Sequence, residues 1–99
     1  MWRDVIEVGN EFETIKYGEV IRTKEYRKVY ADKQSVRQSE FYQSASVGLK
    51  PELVFVVKSV EFNNDEYVRY EDKEYTIIRT YDKGENTELT VSTHRGSEV

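Results

Sequence analysis

Cysteine is missing from this chain, and histidine, methionine, tryptophan and proline occur once each. Without cysteine there is neither a disulfide framework nor a thiolate zinc site, which fits a reducing compartment, and redox chemistry on sulfur pairs is excluded. The lone His94 stands near the C-terminus, where a catalytic base could hardly be held in geometry. No apolar run approaches the ~20 residues of a membrane span, and the start Met1-Trp-Arg-Asp-Val-Ile-Glu7 lacks the apolar core of a signal peptide. The product is therefore expected to be soluble and intracellular. Glycine-rich phosphate loops, CxxC pairs and HExxH motifs are absent. Ser39 and Ser44 have no orienting base beside them in sequence. The carboxylates fall in turns such as Asp65-Glu66 and Glu71-Asp72, where solvation explains them better than a metal site or a glycosidase pair. The expectation is a non-enzyme without cofactor or metal.

What is abundant is charge and tyrosine. Charged residues make up 34% of the 99 residues and hydrophobic ones 37%, with eight tyrosines and four phenylalanines. A chain of this size forms one small domain that buries a little over ~60% of its unfolded surface, and aromatic rings must supply much of the core area. Tyrosine at this frequency suits strands. The net charge of −4 is unevenly spread: residues 20–38 carry six basic against two acidic residues, and residues 60–88 nine acidic against four basic. A polarised surface of this kind suits stacking onto copies of itself or onto a complementary partner.

Along the chain, Trp2 to Val8 reads as a first strand with Trp2, Val5 or Ile6, and Val8 as buried candidates, stopped by Gly9-Asn10. Residues 9–19 are expected to form an acidic connection, with a hairpin as the alternative. Val20 to Ala31 alternates as a long strand with Tyr26 and Tyr30 on one face and Val29 and Ala31 on the other. Leu53 to Phe62 reads as a central strand, Asn63-Asn-Asp65 as a turn, Glu66 to Tyr70 as a short strand and Glu71-Asp-Lys73 as a tight connection. Glu74 to Tyr81 forms the next strand, with Tyr75, Ile77, Arg79 and Tyr81 alternating against Thr76, Ile78 and Thr80; Asp82-Lys-Gly84 is a turn, and Thr87 to Thr93 the last strand with Leu89 and Val91 facing in. The fold class is mainly β, a small barrel of five to six antiparallel strands spanning residues 1–94, with 95–99 as a flexible polar tail.

One segment departs from the β pattern. Residues 33–52 form an inserted loop in which Ser35 and Gln38 make a capping box, and Gly48 with Pro51 a stop, so a short helix over 36–47 is expected. Phe41 and Ala45 give it only a narrow apolar stripe, and its serines lower helix propensity. Such a segment is marginal alone and suited to ordering by a neighbour. Phe41 and Tyr42 either cap the barrel core or face that neighbour. A second candidate surface comprises Arg22, Lys24, Arg27 and Lys28, interleaved with Tyr26 and Tyr30. It could track nucleic-acid phosphate while the rings stack bases, although the acidic pI near 5.1 opposes such binding.

The order Val29-Tyr-Ala31, Ser39-Glu-Phe-Tyr42, Ala45, Gly48-Leu49, Phe55-Val-Val57, Tyr67-Val-Arg-Tyr70, Tyr75-Thr-Ile-Ile-Arg-Thr-Tyr81 and Glu88-Leu89 resembles the phage head-closure, or head-tail adaptor, family. The resemblance runs from Trp2 to about Val91 and lies in the order and spacing of moderately specific motifs. The family's usual glycine before the Tyr75 strand is replaced here by Glu71-Asp-Lys73. The resemblance implies a small barrel docking as a dodecameric ring beneath the portal and its adaptor, in the virion's head–tail connector after assembly in the host cytoplasm. It implies a stopper that holds DNA in the channel without reading its sequence and receives a tail-terminator or tail-completion protein. It also implies that the 33–52 connection projects into that channel, with Ser39, Glu40, Phe41, Tyr42, Ala45, Gly48 and Leu49 as its gating and oligomer-contact residues. A tail-completion protein and a small nucleic-acid-binding barrel are the alternative readings.

Overall fold

The computed structural model describes residues 2–37 and 50–93. Six strands follow one another: β1 (Asp4–Lys16), β2 (Glu19–Gln34), β3 (Leu53–Lys58), β4 (Tyr67–Tyr70), β5 (Lys73–Asp82) and β6 (Asn86–Ser92). They close into an antiparallel barrel in the order β1-β2-β3-β6-β5-β4. The expected small barrel is therefore the fold.

Alternation builds the core. Ile6 and Val8 of β1, Val29 and Ala31 of β2, Phe55 and Val57 of β3, Val68 of β4, Tyr75 of β5, and Leu89 and Val91 of β6 pack together, one or two inward residues per strand. The Tyr70 ring meets Phe55 edge-on, centroids 5.1 Å apart, and so covers one end of that core. Phe55 is the largest fully buried side chain, and Phe55→Ala would cost about 3–5 kcal/mol through lost transfer energy and the cavity left behind. Among the described residues the only helical element is a 3-10 turn, Ser59–Glu61, which ends β3. The expected run to Phe62 is thus cut short. The helix expected over 36–47 falls, from residue 38 onward, outside the described residues.

Three further expectations are corrected. Gly9-Asn10 does not stop the first strand, because β1 runs on to Lys16 and pairs with β2 from Asp4↔Ala31 to Lys16↔Glu19. A side chain at Gly9 would sit 2.2 Å from the Glu25 carbonyl oxygen and 2.8 Å from Cδ1 of Tyr26, so this glycine marks a close approach within a strand rather than a break. The hairpin alternative for residues 9–19 is the one observed. Its turn is Tyr17-Gly18, with φ of 54° and 79°, the positive values a two-residue turn of type I′ needs. Finally, the alternation expected through β5 slips at a bulge between Ile77 and Arg79, so that Thr80, not Arg79, lies opposite Leu89.

The strands differ greatly in length, and this shapes the molecule. β4 covers β1 only at Glu7–Gly9, and β3 covers β2 only at Ala31–Gln34. Beyond those points the β1–β2 hairpin leaves the barrel as a two-stranded arm, within a body whose longest extent is 48 Å. The strand directions set by these registers place the arm, the 59–66 connection and the 83–85 turn at one end. The N-terminus, the root of the 35–52 connection and the 71–72 turn lie at the other.

Candidate functional site

Of the residues expected to gate a channel, Ser39, Glu40, Phe41, Tyr42, Ala45, Gly48 and Leu49 lie outside the described residues. The structure does show how their segment is rooted. On the entry side Lys33 N donates to Asp4 Oδ2 at 3.0 Å, Arg3 N donates to Asp32 Oδ1 at 3.1 Å, and Arg37 reaches Glu88 on β6 at 3.6 Å. On the exit side Pro51 is buried and Glu52 N donates to the Val91 carbonyl at 2.9 Å. The Glu52 carboxylate then receives the Thr93 hydroxyl at 2.6 Å and the Ser92 hydroxyl at 3.3 Å, as well as Thr93 N. Burial works against the charge on Glu52, but the hydrogen bonds from Thr93 and Ser92 outweigh it and hold its pKa below the ordinary carboxylate value. Both stems of the connection are thereby fixed to the barrel wall.

The basic surface is present but is not one surface. Arg22, Lys24 and Lys28 share the outer face of β2 with Tyr26 and Tyr30. Arg27 has the opposite parity and points with Val29 and Ala31 toward the barrel's interior end. There its guanidinium grips Asp65 through two 2.8 Å bonds, Nη1 to Oδ1 and Nη2 to Oδ2. Nη2 also donates to the Glu61 carbonyl. Asp65 further accepts from the Asn10 amide at 3.1 Å and from Asn63 N at 3.2 Å. This bidentate pair, with its Asp65 side chain fully buried, ties the 59–66 connection to the base of the arm.

The outer face carries a charge network that crosses four strands. In register across β2, β1, β4 and β5 stand Lys28, Glu7, Arg69 and Glu74, with signs alternating. Arg69 holds Glu7 through two bonds of 3.1 and 2.8 Å. The hydrogen bond from Arg69 is the main reason that the Glu7 pKa is lowered. Tyr26 lies across Gly9, its ring under Arg69 at 4.4 Å, and its hydroxyl donates to Glu74. Lys24 also binds Glu74 and sits 4.1 Å from the centre of the Tyr67 ring. Hydrogen bonds from Lys24 and then Tyr26 lower the Glu74 pKa. Burial first, and the Glu74 carboxylate second, raise that of the Tyr26 phenol. Arg22, in turn, pairs with Glu13 at 3.3 Å and Glu11 at 3.9 Å.

Three of the four candidate cations are thus paired with an acid of their own chain, Arg22 with Glu13, Lys24 with Glu74 and Arg27 with Asp65, while Lys28 stands in register with Glu7, whose carboxylate Arg69 holds. A phosphate backbone would have to break these pairs rather than meet a free positive stripe. Among the described residues, no three histidine or acidic side chains converge to hold a metal. A groove of about 540 Å³ runs beside β5, where short β4 leaves its upper edge uncovered, lined in part by Phe62, Glu66, Ile77, Ile78 and Arg79.

Sequence reasoning missed one surface. The arm exposes Phe12, Ile15, Tyr17, Val20 and Ile21, with Tyr17 at the turn 94% and Ile15 76% accessible. The signal was legible as Tyr-Gly between two runs of matching length, once Gly9 is not taken as a break. No known protein-family model matches this chain, and a search of curated proteins found no match.

Proposed function

We propose that this chain is a structural, non-catalytic virion protein that joins a phage head to its tail. It would dock as a ring beneath the portal or adaptor, close the DNA-filled head and receive the tail. The observation that supports this reading best is the combination of a closed antiparallel barrel with a long connection between adjacent strands β2 and β3, the feature order in which the resemblance resides. The arm at one end of the barrel and the root of the 35–52 connection at the other also suit a component that must contact different partners above and below. The self-neutralised basic residues favour this over a nucleic-acid-binding barrel.

Deleting the gene from its phage or inducible prophage and examining the lysate by electron microscopy tests the proposal. DNA-emptied heads beside separate, complete tails are expected. Normal tailed particles would sink the joining role. Within that role, Phe41→Ala or Tyr42→Ala is expected to leave the isolated fold intact while giving leaky or tailless particles, and normal particles from both would remove the gating function of the 33–52 connection.

A further inference from the structure

The arm carries the longest uncovered strand edges among the described residues. β1 is uncovered from about Glu11 to Lys16, and β2 from Glu19 to Tyr30, on the sides away from each other. A two-stranded ribbon is marginal in water by itself, and bare edges of this length invite another strand. Natural edges are blunted by charge, and here the charges are arranged with a polarity. At the outermost charged rungs, Glu13 on β1 faces Arg22 on β2, and Lys16 on β1 faces Glu19 on β2. Between and beside them lie rungs with apolar residues: Phe12/Thr23, Thr14/Ile21 and Ile15/Val20.

We infer that the arm is a self-association surface, in which the β1 edge of one copy pairs with the β2 edge of the next. Copies related by rotation, with arms pointing the same way, bring an ascending β1 beside a descending β2, so the new pairing is antiparallel, as the edges require. A rotation without rise sets partners at equal height. Arg22 then falls beside Glu13 of the next copy, and Glu19 beside Lys16 of the next copy, so that signs alternate around the assembly. The apolar rungs join into continuous bands in the same arrangement. A two-fold pairing centred on the Phe12/Thr23 rung is disfavoured. Pairing β1 with β1 about Phe12 sets Glu11 against Glu13, and pairing β2 with β2 about Thr23 sets Arg22 against Lys24, like charges in both cases. A heterologous contact of this type closes into a ring or runs on as a filament, according to the rotation. It would supply the ring contact that the head–tail reading needs, yet it stands on the arm's geometry and can fail or hold independently of that reading.

The absence of native cysteine makes the test direct. Two full-length single variants, Glu13→Cys and Arg22→Cys, are mixed at high protein concentration and oxidised. Directly opposed residues on paired strands lie within disulfide reach. The mixture is expected to give a mixed dimer as its main cross-linked product, with each variant alone giving little, and a Glu71→Cys control at the opposite end giving none above background. Predominant homodimers would overturn the polarity, and a mixture no more cross-linked than the control would overturn self-pairing. A chain with the rung reversed, Glu13→Arg with Arg22→Glu, keeps its internal pair. It should associate with its own kind and lose association with the wild type in sedimentation experiments. Equal co-association would overturn the charge argument. Phage particle morphology does not enter these readouts, so failure here is distinct from failure of the head–tail reading.

Discussion

Removing Arg27 should be the most damaging single change to a charged residue in this barrel. Asp65 has no exposed side-chain surface, whereas the Arg27 side chain is 40% accessible. Arg27→Ala therefore leaves a buried carboxylate held only by the Asn10 amide and Asn63 N. It also frees the Glu61 carbonyl. Breaking a buried pair by removing one partner costs about 3–5 kcal/mol, and the lower end applies here because water can enter where the guanidinium stood. A loss of about 3 kcal/mol is a large share of the ~5–15 kcal/mol that holds a small domain together. It should lower Tm by roughly 12–24 °C at ~4–8 °C per kcal/mol. Arg27→Lys should recover little, since one ammonium cannot span both carboxylate oxygens and the carbonyl. The comparison variant is Arg22→Ala, which removes a pair whose arginine is 68% accessible and should cost no more than about 1 kcal/mol. Chemical and thermal denaturation followed by circular dichroism would measure both. If Arg27→Ala unfolded within about 1 kcal/mol of the wild type, or if Arg22→Ala cost as much, the assignment of Arg27 as the clamp of the arm-side end would be refuted.

Gly9→Ala should destabilise by about 1–3 kcal/mol, as overpacking does, because the new carbon meets the Glu25 backbone as well as the Tyr26 ring; a neutral result in denaturant melts would show that β1 and β2 can separate there at no cost. Glu7, Glu74 and Glu52 all have pKa values lowered from 4.5 in the folded state, so the stability they contribute is complete above the ordinary carboxylate range and declines as pH falls below about 4.5 through the lowered values. Glu74→Gln should shallow that acid limb in pH-dependent unfolding, and an unchanged slope would contradict the network. The turn residues Glu71 and Asp72 adopt φ of 50° and 63°, so Glu71→Asn with Asp72→Gly, the pair such a turn prefers, should raise stability by roughly 1 kcal/mol, read as a higher Tm.

The second half of the barrel was legible because its punctuation is local. Asn63-Asn-Asp65, Glu71-Asp-Lys73 and Asp82-Lys-Gly84 each separate runs of period two, and β4, β5 and β6 follow them within a residue or two at nearly every boundary. The first half failed where a long-range contact overrode a local signal. Gly9 reads as a breaker until the Tyr26 ring, seventeen positions on, is known to need its space. β3 ends early because Ser59 N bonds to the Glu85 carbonyl and the Ser59 hydroxyl meets that of Thr87, contacts with no trace in the run Leu53 to Phe62. The separation of Arg27 from its basic neighbours needed only counting: it shares parity with Val29 and Ala31, while Arg22, Lys24 and Lys28 share parity with Tyr30. Its partner, Asp65, could not be read, since nothing in a turn sequence announces that one carboxylate turns inward.

A closed barrel disposes of its strand edges, so the edges that remain exposed are informative. Here β3 and β4 have six and four residues against sixteen in β2 and thirteen in β1, and this mismatch carries the hairpin out of the barrel with both its flanks uncovered by any other described strand. Lengthening β3 and β4 would have covered them. Instead the flanks carry opposite charges at equal heights, which discourages indiscriminate pairing while leaving one complementary arrangement open. The 35–52 connection leaves from the other end, rooted by Asp4, Arg37 and Glu52 on the barrel wall. Contacts made along the arm therefore need not disturb that connection, and the clamp between Arg27 and Asp65 stands where the arm joins the barrel. Loosening that clamp should thus affect association along the arm before it affects the rooting of the connection, an order of effects that the Arg27→Ala chain can reveal if arm cross-linking and global unfolding are followed in the same protein.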